Sequence, residues 1–132
     1  MKDNIINEMI SKAEERLESA EILLKSKQYA DSISRSYYAV LDAARTLLVL
    51  DKVFPKSHAG VIAQFNLHYI KTGIFPKSFG QLLTRVEKSR TEADYSFEID
   101  FTKDEAQDRL KLAKLFVEKV TEHINFISNN LK

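Results

Sequence analysis

The placement of helix breakers constrains this chain more than any other feature. Two prolines and three glycines occur in 132 residues, and both prolines, Pro55 and Pro76, fall between stretches of helical periodicity. Proline cannot donate a backbone hydrogen bond, and glycine costs about 1 kcal/mol in a helix interior, so long stretches without either favour helix. Between the breakers, apolar residues recur every three or four positions, as one face of a helix requires. In a first segment, Asp3 to Lys25, they are Ile6, Ile10, Ala13, Leu17, Ala20 and Leu24, with Asp3 as the expected N-cap. A break at Ser26-Lys27-Gln28 leads to a second helix, Tyr29 to Leu50, followed by a loop from Asp51 to Lys56. Ser57 offers an N-cap for a third helix reaching about Lys71, and Thr72-Gly73 is its expected stop, since glycine tolerates the left-handed conformation found there. Ser78 with Gln81 has capping-box spacing and opens a fourth helix, with Phe79, Leu82, Leu83 and Val86 inward, that fades between about Arg90 and Tyr95. Ser96 to Phe101 alternates in polarity but has no partner strand, and reads as an extended loop. Thr102 and Glu105 form a second capping box ahead of the last helix. There Ala106, Leu110, Ala113, Val117, Val120, Ile124, Ile127 and Leu131 make a seam with steps of four and three, suited to packing along another long helix.

The expected fold class is all-α: an up-and-down bundle of about five helices, three long and two short, forming a single domain over residues 1–132. A chain that is 44% hydrophobic and 30% charged has enough apolar surface for a core and is not a disordered polar chain. The net charge of +1 gives no whole-chain argument for nucleic acid or for an anionic membrane, although folding can still gather a local basic patch. Without cysteine there are no disulfides and no thiolate metal sites. Acidic residues come early, and the apolar runs are too short for a signal peptide or a membrane span, so the expectation is a cytoplasmic protein that does not engage a membrane.

The second helix carries the most information. At roughly 100° per residue it presents three stripes. Ala30, Ile33, Tyr37, Val40, Leu41, Ala44 and Leu48 make a core stripe; Ser32, Ser36, Ala39, Ala43 and Thr46 make a stripe of small residues that lets another backbone approach. Asp31, Arg35, Tyr38, Asp42 and Arg45 make a third, charged stripe. So little bland surface remains that the helix is expected to be central. The charged stripe is either a ladder, pairing Asp31 with Arg35 and Asp42 with Arg45, or the lining of an interface or cleft. A buried arginine there would need full partnering, because stranding a buried charge costs roughly 3–5 kcal/mol.

The run Tyr29-Ala30-Asp31-Ser32-Ile33-Ser34-Arg35-Ser36-Tyr37-Tyr38-Ala39-Val40-Leu41-Asp42-Ala43-Ala44-Arg45 resembles the signature of a branch of uncharacterised prokaryotic HEPN proteins. Two later landmarks match in order: Lys56-Ser57-His58-Ala59-Gly60-Val61-Ile62 with Phe65, and Arg90 followed by Asp94-Tyr95. The resemblance implies a helical bundle that forms a homodimer. It also implies kinship with metal-independent ribonucleases, some of them toxins neutralised by a minimal nucleotidyltransferase partner. The usual active motif is an arginine, four to six residues, then a histidine, with two copies meeting across the dimer. Here the motif reads Arg35, six residues, then Asp42. An imidazole can shuttle a proton near neutral pH, whereas an ionised carboxylate repels phosphate, so the fold carries over better than the activity.

The resemblance and the residues together leave three functional readings. The first is a binding and assembly module, the HEPN component of a toxin–antitoxin-type pair. The second is an active endoribonuclease in which Arg35 binds phosphate and another group replaces the histidine. The third is a nucleotide-binding bundle, so RNA or a nucleotide is the ligand class considered. Catalytic candidates are Arg35 and Asp42; cleft candidates are Asp31, Tyr38, Arg45, His58 and Arg90. His58 reads either as part of a helix start or as a substitute acid–base group brought beside Arg35 or Arg45. His58, His68 and His123 fall on three different segments without metal-ligand spacing, and no glycine-rich phosphate loop exists, so neither a metal nor a cofactor is expected.

Overall fold

In a computed structural model, residues 2–95 and 100–130 are described. The helices are α1 (Lys2–Lys25), α2 (Tyr29–Leu50), α3 (His58–Phe65), α4 (Lys77–Tyr95) and α5 (Lys103–Asn130), and α3 continues into a π-turn over Asn66–Ile70. No strand occurs among the described residues. The fold is an all-α bundle, and α2 is its centre, packed against α1, α3, α4 and α5.

The small residues of α2 explain the tightest of these contacts. Ser32, Ser36, Ala39, Ala43 and Thr46 are all buried. The Ser32 hydroxyl donates to the Ala20 carbonyl of α1 at 2.7 Å, an approach that a larger side chain would block. Ala20 pairs with Ser32 and Arg16 with Asp42, so the two helices run antiparallel, as their three-residue connection requires. The opposite side of α2 buries Ile33, Tyr37, Leu41 and Leu48. An aromatic cluster closes one end of the core, with Phe65 against Phe116 at 5.4 Å and Phe75 stacked on Phe79 at 5.1 Å between ring centroids.

Helix ends follow local chemistry. Ser57 caps α3 by accepting from the Gly60 amide at 2.9 Å. Thr102 and Glu105 form the reciprocal capping box, Glu105 N–H donating to the Thr102 hydroxyl at 3.1 Å and Thr102 N–H to the Glu105 carboxylate at 3.2 Å. Gly73, at φ +79°, ends the α3 segment as expected. Four expectations are adjusted. Helix α1 already includes Lys2, so Asp3 is not its N-cap. The α3 segment reaches Ile70, close to the expected end, but its last turn widens into the π form, with Lys71 N–H reaching Asn66 O at 2.9 Å. Helix α4 opens at Lys77, directly after Pro76, with Phe79 N–H donating to the Pro76 carbonyl; Ser78 therefore lies inside the first turn and forms no capping box with Gln81. The same helix stays regular to Tyr95 instead of fading from Arg90. The α5 seam is buried from Ala106 to Ile124 and Ile127 is half-buried, while Leu131 and most of the expected loop from Ser96 to Phe101 lie outside the described residues.

Candidate functional site

The charged stripe of α2 does not form the intrahelical ladder. Asp31 and Arg35 are exposed, and among the described residues neither makes an ion pair. Both line an open cleft of about 410 Å³ together with Leu23, Ser34, Tyr38 and Asp94. Three elements meet here: the end of α1 supplies Leu23, α2 the central residues, and α4 Asp94. The Ser34 hydroxyl donates to Asp94 at 2.5 Å and ties α2 to α4 beside the cleft.

Asp42 has a partner that sequence reasoning did not identify. Arg16 of α1 donates from Nε to the Asp42 carboxylate at 2.5 Å, with side chains 28% and 17% exposed. The same guanidinium lies 5.5 Å from the Tyr38 ring centroid, so Arg16 is held between a carboxylate and an aromatic face. The expected Asp42–Arg45 pair is absent, and half-buried Arg45 makes no ion pair among the described residues. Tyr38 contributes its ring and makes no hydrogen bond to Arg35 or Asp42; its edge meets Tyr37 at 5.3 Å and His58 at 6.0 Å. His58, the first residue of α3, meets both tyrosines and reaches neither Arg35 nor Arg45 by a hydrogen bond.

Arg90 does not line the cleft and reaches it through Asp94. Its guanidinium donates to Glu87 at 3.1 and 3.2 Å, pairs with Asp94 at 3.5 Å and lies 4.8 Å from the Tyr37 ring centroid. Burial works against the Arg90 charge, but Glu87 beside it outweighs burial and holds the guanidinium firmly protonated. Burial, reinforced by the Glu87 carboxylate, pushes the Tyr37 hydroxyl well above the usual phenol range. Arg90 Nε, the Tyr37 hydroxyl and the Ser36 hydroxyl are buried without a hydrogen-bond partner among the described residues.

Chemically, the arrangement separates the two residues of the degenerate motif. Arg35 can offer its planar fork of donors to a phosphate entering the cleft, where Arg90 balances Asp94 and the exposed Asp31 is the carboxylate that opposes an anion. Asp42 is occupied and its charge is balanced by Arg16. Of the expected cleft residues, Asp31, Arg35 and Tyr38 line it; Arg90 is joined to it only through Asp94, His58 lies beside Tyr38, and Asp42 and Arg45 lie further along α2. Sequence reasoning missed Arg16, Leu23 and Ser34; it marks Asp94 as a landmark and, with Glu87, as an acid for Arg90 to pair with, and both pairs form. The α1 register could have pointed to Arg16, which lies next to inward-facing Leu17, but its partner is 26 residues away and depends on how two helices cross. Among the described residues, no three His, Asp or Glu side chains gather as a metal site would need.

Comparison with known proteins agrees with this architecture. The HEPN domain model matches residues 6–124. A Methanocaldococcus jannaschii protein named as a candidate toxin is 34% identical over 122 residues, which cover 92% of this chain and 90% of that protein. A second protein of that organism, also named as a candidate toxin, is 31% identical over 96% of this chain and 84% of its own length. A Thermotoga maritima protein named UPF0332 is 29% identical over 93% of both chains. With the match spanning nearly all of the bundle, the chain belongs to the HEPN family.

Proposed function

We propose that this protein is a binding and assembly module, a homodimeric HEPN bundle that works as the toxin-side component of a toxin–antitoxin-type pair with a minimal nucleotidyltransferase. The observation that carries the reading is the division of labour in the motif: Arg35 stands unpaired at an open cleft, while Asp42, in the place of the usual histidine, is bound by Arg16. A carboxylate so engaged is poorly placed to shuttle protons, whereas an unpaired arginine beside an aromatic ring suits an RNA phosphate. The toxin-like names of relatives that share almost the whole chain support the setting. Asp31 and Tyr38 line the cleft, Arg90 holds its Asp94, and Arg45 extends the stripe toward a second copy.

A second reading is favoured by one contact. His58 touches Tyr38 at the cleft, and an imidazole there is the available substitute acid–base group for an active endoribonuclease. The test separates the two. Purified protein is incubated with single-stranded RNA in chelator and assayed for both binding and cleavage. The binding reading expects intact RNA after hours, an affinity that falls about tenfold or more in Arg35→Ala, and co-purification with a nucleotidyltransferase encoded beside it. Chelator-resistant cleavage that disappears in both Arg35→Ala and His58→Ala would replace it with the ribonuclease reading.

A further inference from the structure

The net charge of +1 conceals a strong separation of charge along the chain. Between Lys52 and Val86 there are 35 residues without a single Asp or Glu, and five of the 20 basic residues fall there. The rest of the chain therefore has 15 basic against 19 acidic residues. The fold converts part of this asymmetry into a groove. Lys77, Arg85 and, just beyond the acid-free stretch, Lys88 line one side of α4, and Asn66 and Ile70 of the π-turn line the other, with Gln81 and Thr84 between them; the groove measures about 450 Å³.

Two features mark this groove as more than a solvated helix face. First, among the described residues none of its three cations makes an ion pair, and the acid-free stretch that supplies Lys77 and Arg85 has no carboxylate of its own to offer them. The acids of α4 that do pair, Glu87 and Asp94, are turned toward Arg90, and Glu92, four residues after Lys88, makes no ion pair with it. Second, the Asn66 amide of the groove is seated on a glycine. Gly80 is buried at its base, and a Cβ there would lie 2.6 Å from Asn66 Oδ1, so any side chain at this position would push the Asn66 amide out of its place in the groove. Isolated π-turns recur at functional sites, where they re-aim side chains.

We infer that this groove binds the phosphate backbone of single-stranded RNA, as a second contact surface distinct from the Arg35 cleft. The inference rests on the reading above for the nature of the ligand, RNA, and extends it by naming where the strand runs. Eleven residues of helix separate Lys77 from Lys88, roughly 16 Å, enough to track several phosphates. The amides of Asn66 and Gln81 add donors and acceptors of the kind that contact base edges and sugars, which a surface for acidic protein does not need.

The test is fluorescence anisotropy of a labelled oligouridylate against salt, using wild type, Arg35→Ala and the triple variant Lys77→Ala/Arg85→Ala/Lys88→Ala, with an unlabelled polyglutamate peptide as competitor. All three groove cations are exposed, so the triple variant is expected to keep its helical circular dichroism and melting temperature. Each phosphate contact on a single strand contributes about 0.7 to the slope of log affinity against log salt. The triple variant should therefore lose about two units of slope and at least tenfold in affinity, and Arg35→Ala about 0.7. If the triple variant binds like wild type while Arg35→Ala is weakened, the groove inference fails and the cleft reading stands. The reverse result sustains the groove and removes the cleft. Wild type that binds no RNA overturns both, and polyglutamate that competes as well as RNA overturns the groove as an RNA surface.

Discussion

Arg16 and Asp42 form a pair that is neither surface nor core, with side chains 28% and 17% exposed. Exposed pairs contribute up to about 1 kcal/mol, while removing one partner of a fully buried pair costs roughly 3–5 kcal/mol. Arg16→Met should therefore destabilise by about 2 kcal/mol in urea unfolding, with a smaller loss for Asp42→Asn, which keeps an acceptor and leaves unbalanced only Arg16, the more exposed of the two groups. Equal stability of Arg16→Met and wild type would mean that the pair is an ordinary surface contact. A second residue-scale prediction concerns Tyr69, whose hydroxyl is shared between the Leu47 carbonyl at 2.8 Å and the Asp51 carboxylate. Burial, and then Asp51, pushes this phenol far above its ordinary value. A group whose folded-state value is raised contributes fully below its unfolded value, about 10 for tyrosine, and loses that contribution as pH rises toward the folded value. Tyr69→Phe should cost about 1–2 kcal/mol at neutral pH and make stability less sensitive to alkali above about pH 10, as measured by melts across that range. The stripe of Asp31, Arg35 and Tyr38 was legible in the sequence because helical spacing alone puts these residues on one side. Which charges pair was not, because the i,i+4 rule supplied Asp31 and Arg35 with local partners, whereas the partner Asp42 takes belongs to another helix.

Helix ends decide how the five elements are joined. Helices α1 and α2 both finish with the same hydrogen-bond pattern. In α1, Gln28 N–H reaches Leu23 O at 2.8 Å and Lys27 N–H reaches Leu24 O at 3.1 Å; in α2, Val53 N–H reaches Leu48 O and Lys52 N–H reaches Val49 O. This closure requires a left-handed residue, and Lys27 and Lys52 occupy it at φ 64° and 65°. A side chain there costs about 1–2 kcal/mol that glycine avoids. Lys27→Gly and Lys52→Gly should each raise stability by about 1 kcal/mol after glycine's larger unfolded-state entropy is deducted, seen as a higher melting temperature. Thr102→Ala should lower it by about 1 kcal/mol by deleting the α5 cap. The use of lysine where glycine is usual also shows what could be read in advance. The breaks after α1 and α2 were visible from lost periodicity, and Thr102 with Glu105 from its spacing. Ser78 with Gln81 shows the same spacing without the cap, because Pro76 already sets the start of α4. The π-turn left no trace in the pattern, since one widened turn over Asn66–Ile70 shifts the apolar register by only a single residue.

At the scale of the whole molecule, the arrangement around α2 determines how the bundle comes apart. One hydrophobic core runs through all five helices, from Ile6 and Ala13 of α1 through Leu41 and Leu47 of α2 to Phe65, Leu83, Phe116 and Ile124. Because α2 touches every other helix, no helix pair can open while the rest keeps a complete core. A chain of 132 residues built this way should unfold as one unit, the behaviour usual for single domains under 150 residues. Leu47 provides the test. It is fully buried on α2, and its carbonyl also receives the Tyr69 hydroxyl, so it sits where α2 meets the π-turn. Leu47→Ala should cost about 2–5 kcal/mol, depending on how far the cavity collapses. For a bundle of this size each kcal/mol lowers the melting temperature by roughly 3–6 °C, so the midpoint should fall by on the order of 10 °C. The informative part is the shape of the transition. Tyrosine fluorescence reports the packing around α2, whereas far-ultraviolet circular dichroism reports all the helices together. If the core is one cooperative unit, both signals shift together and keep a common midpoint in wild type and variant. Separate midpoints, with fluorescence lost first and most helicity retained, would mean that α1 and α5 hold a unit of their own, and the single-domain reading would have to be replaced by two.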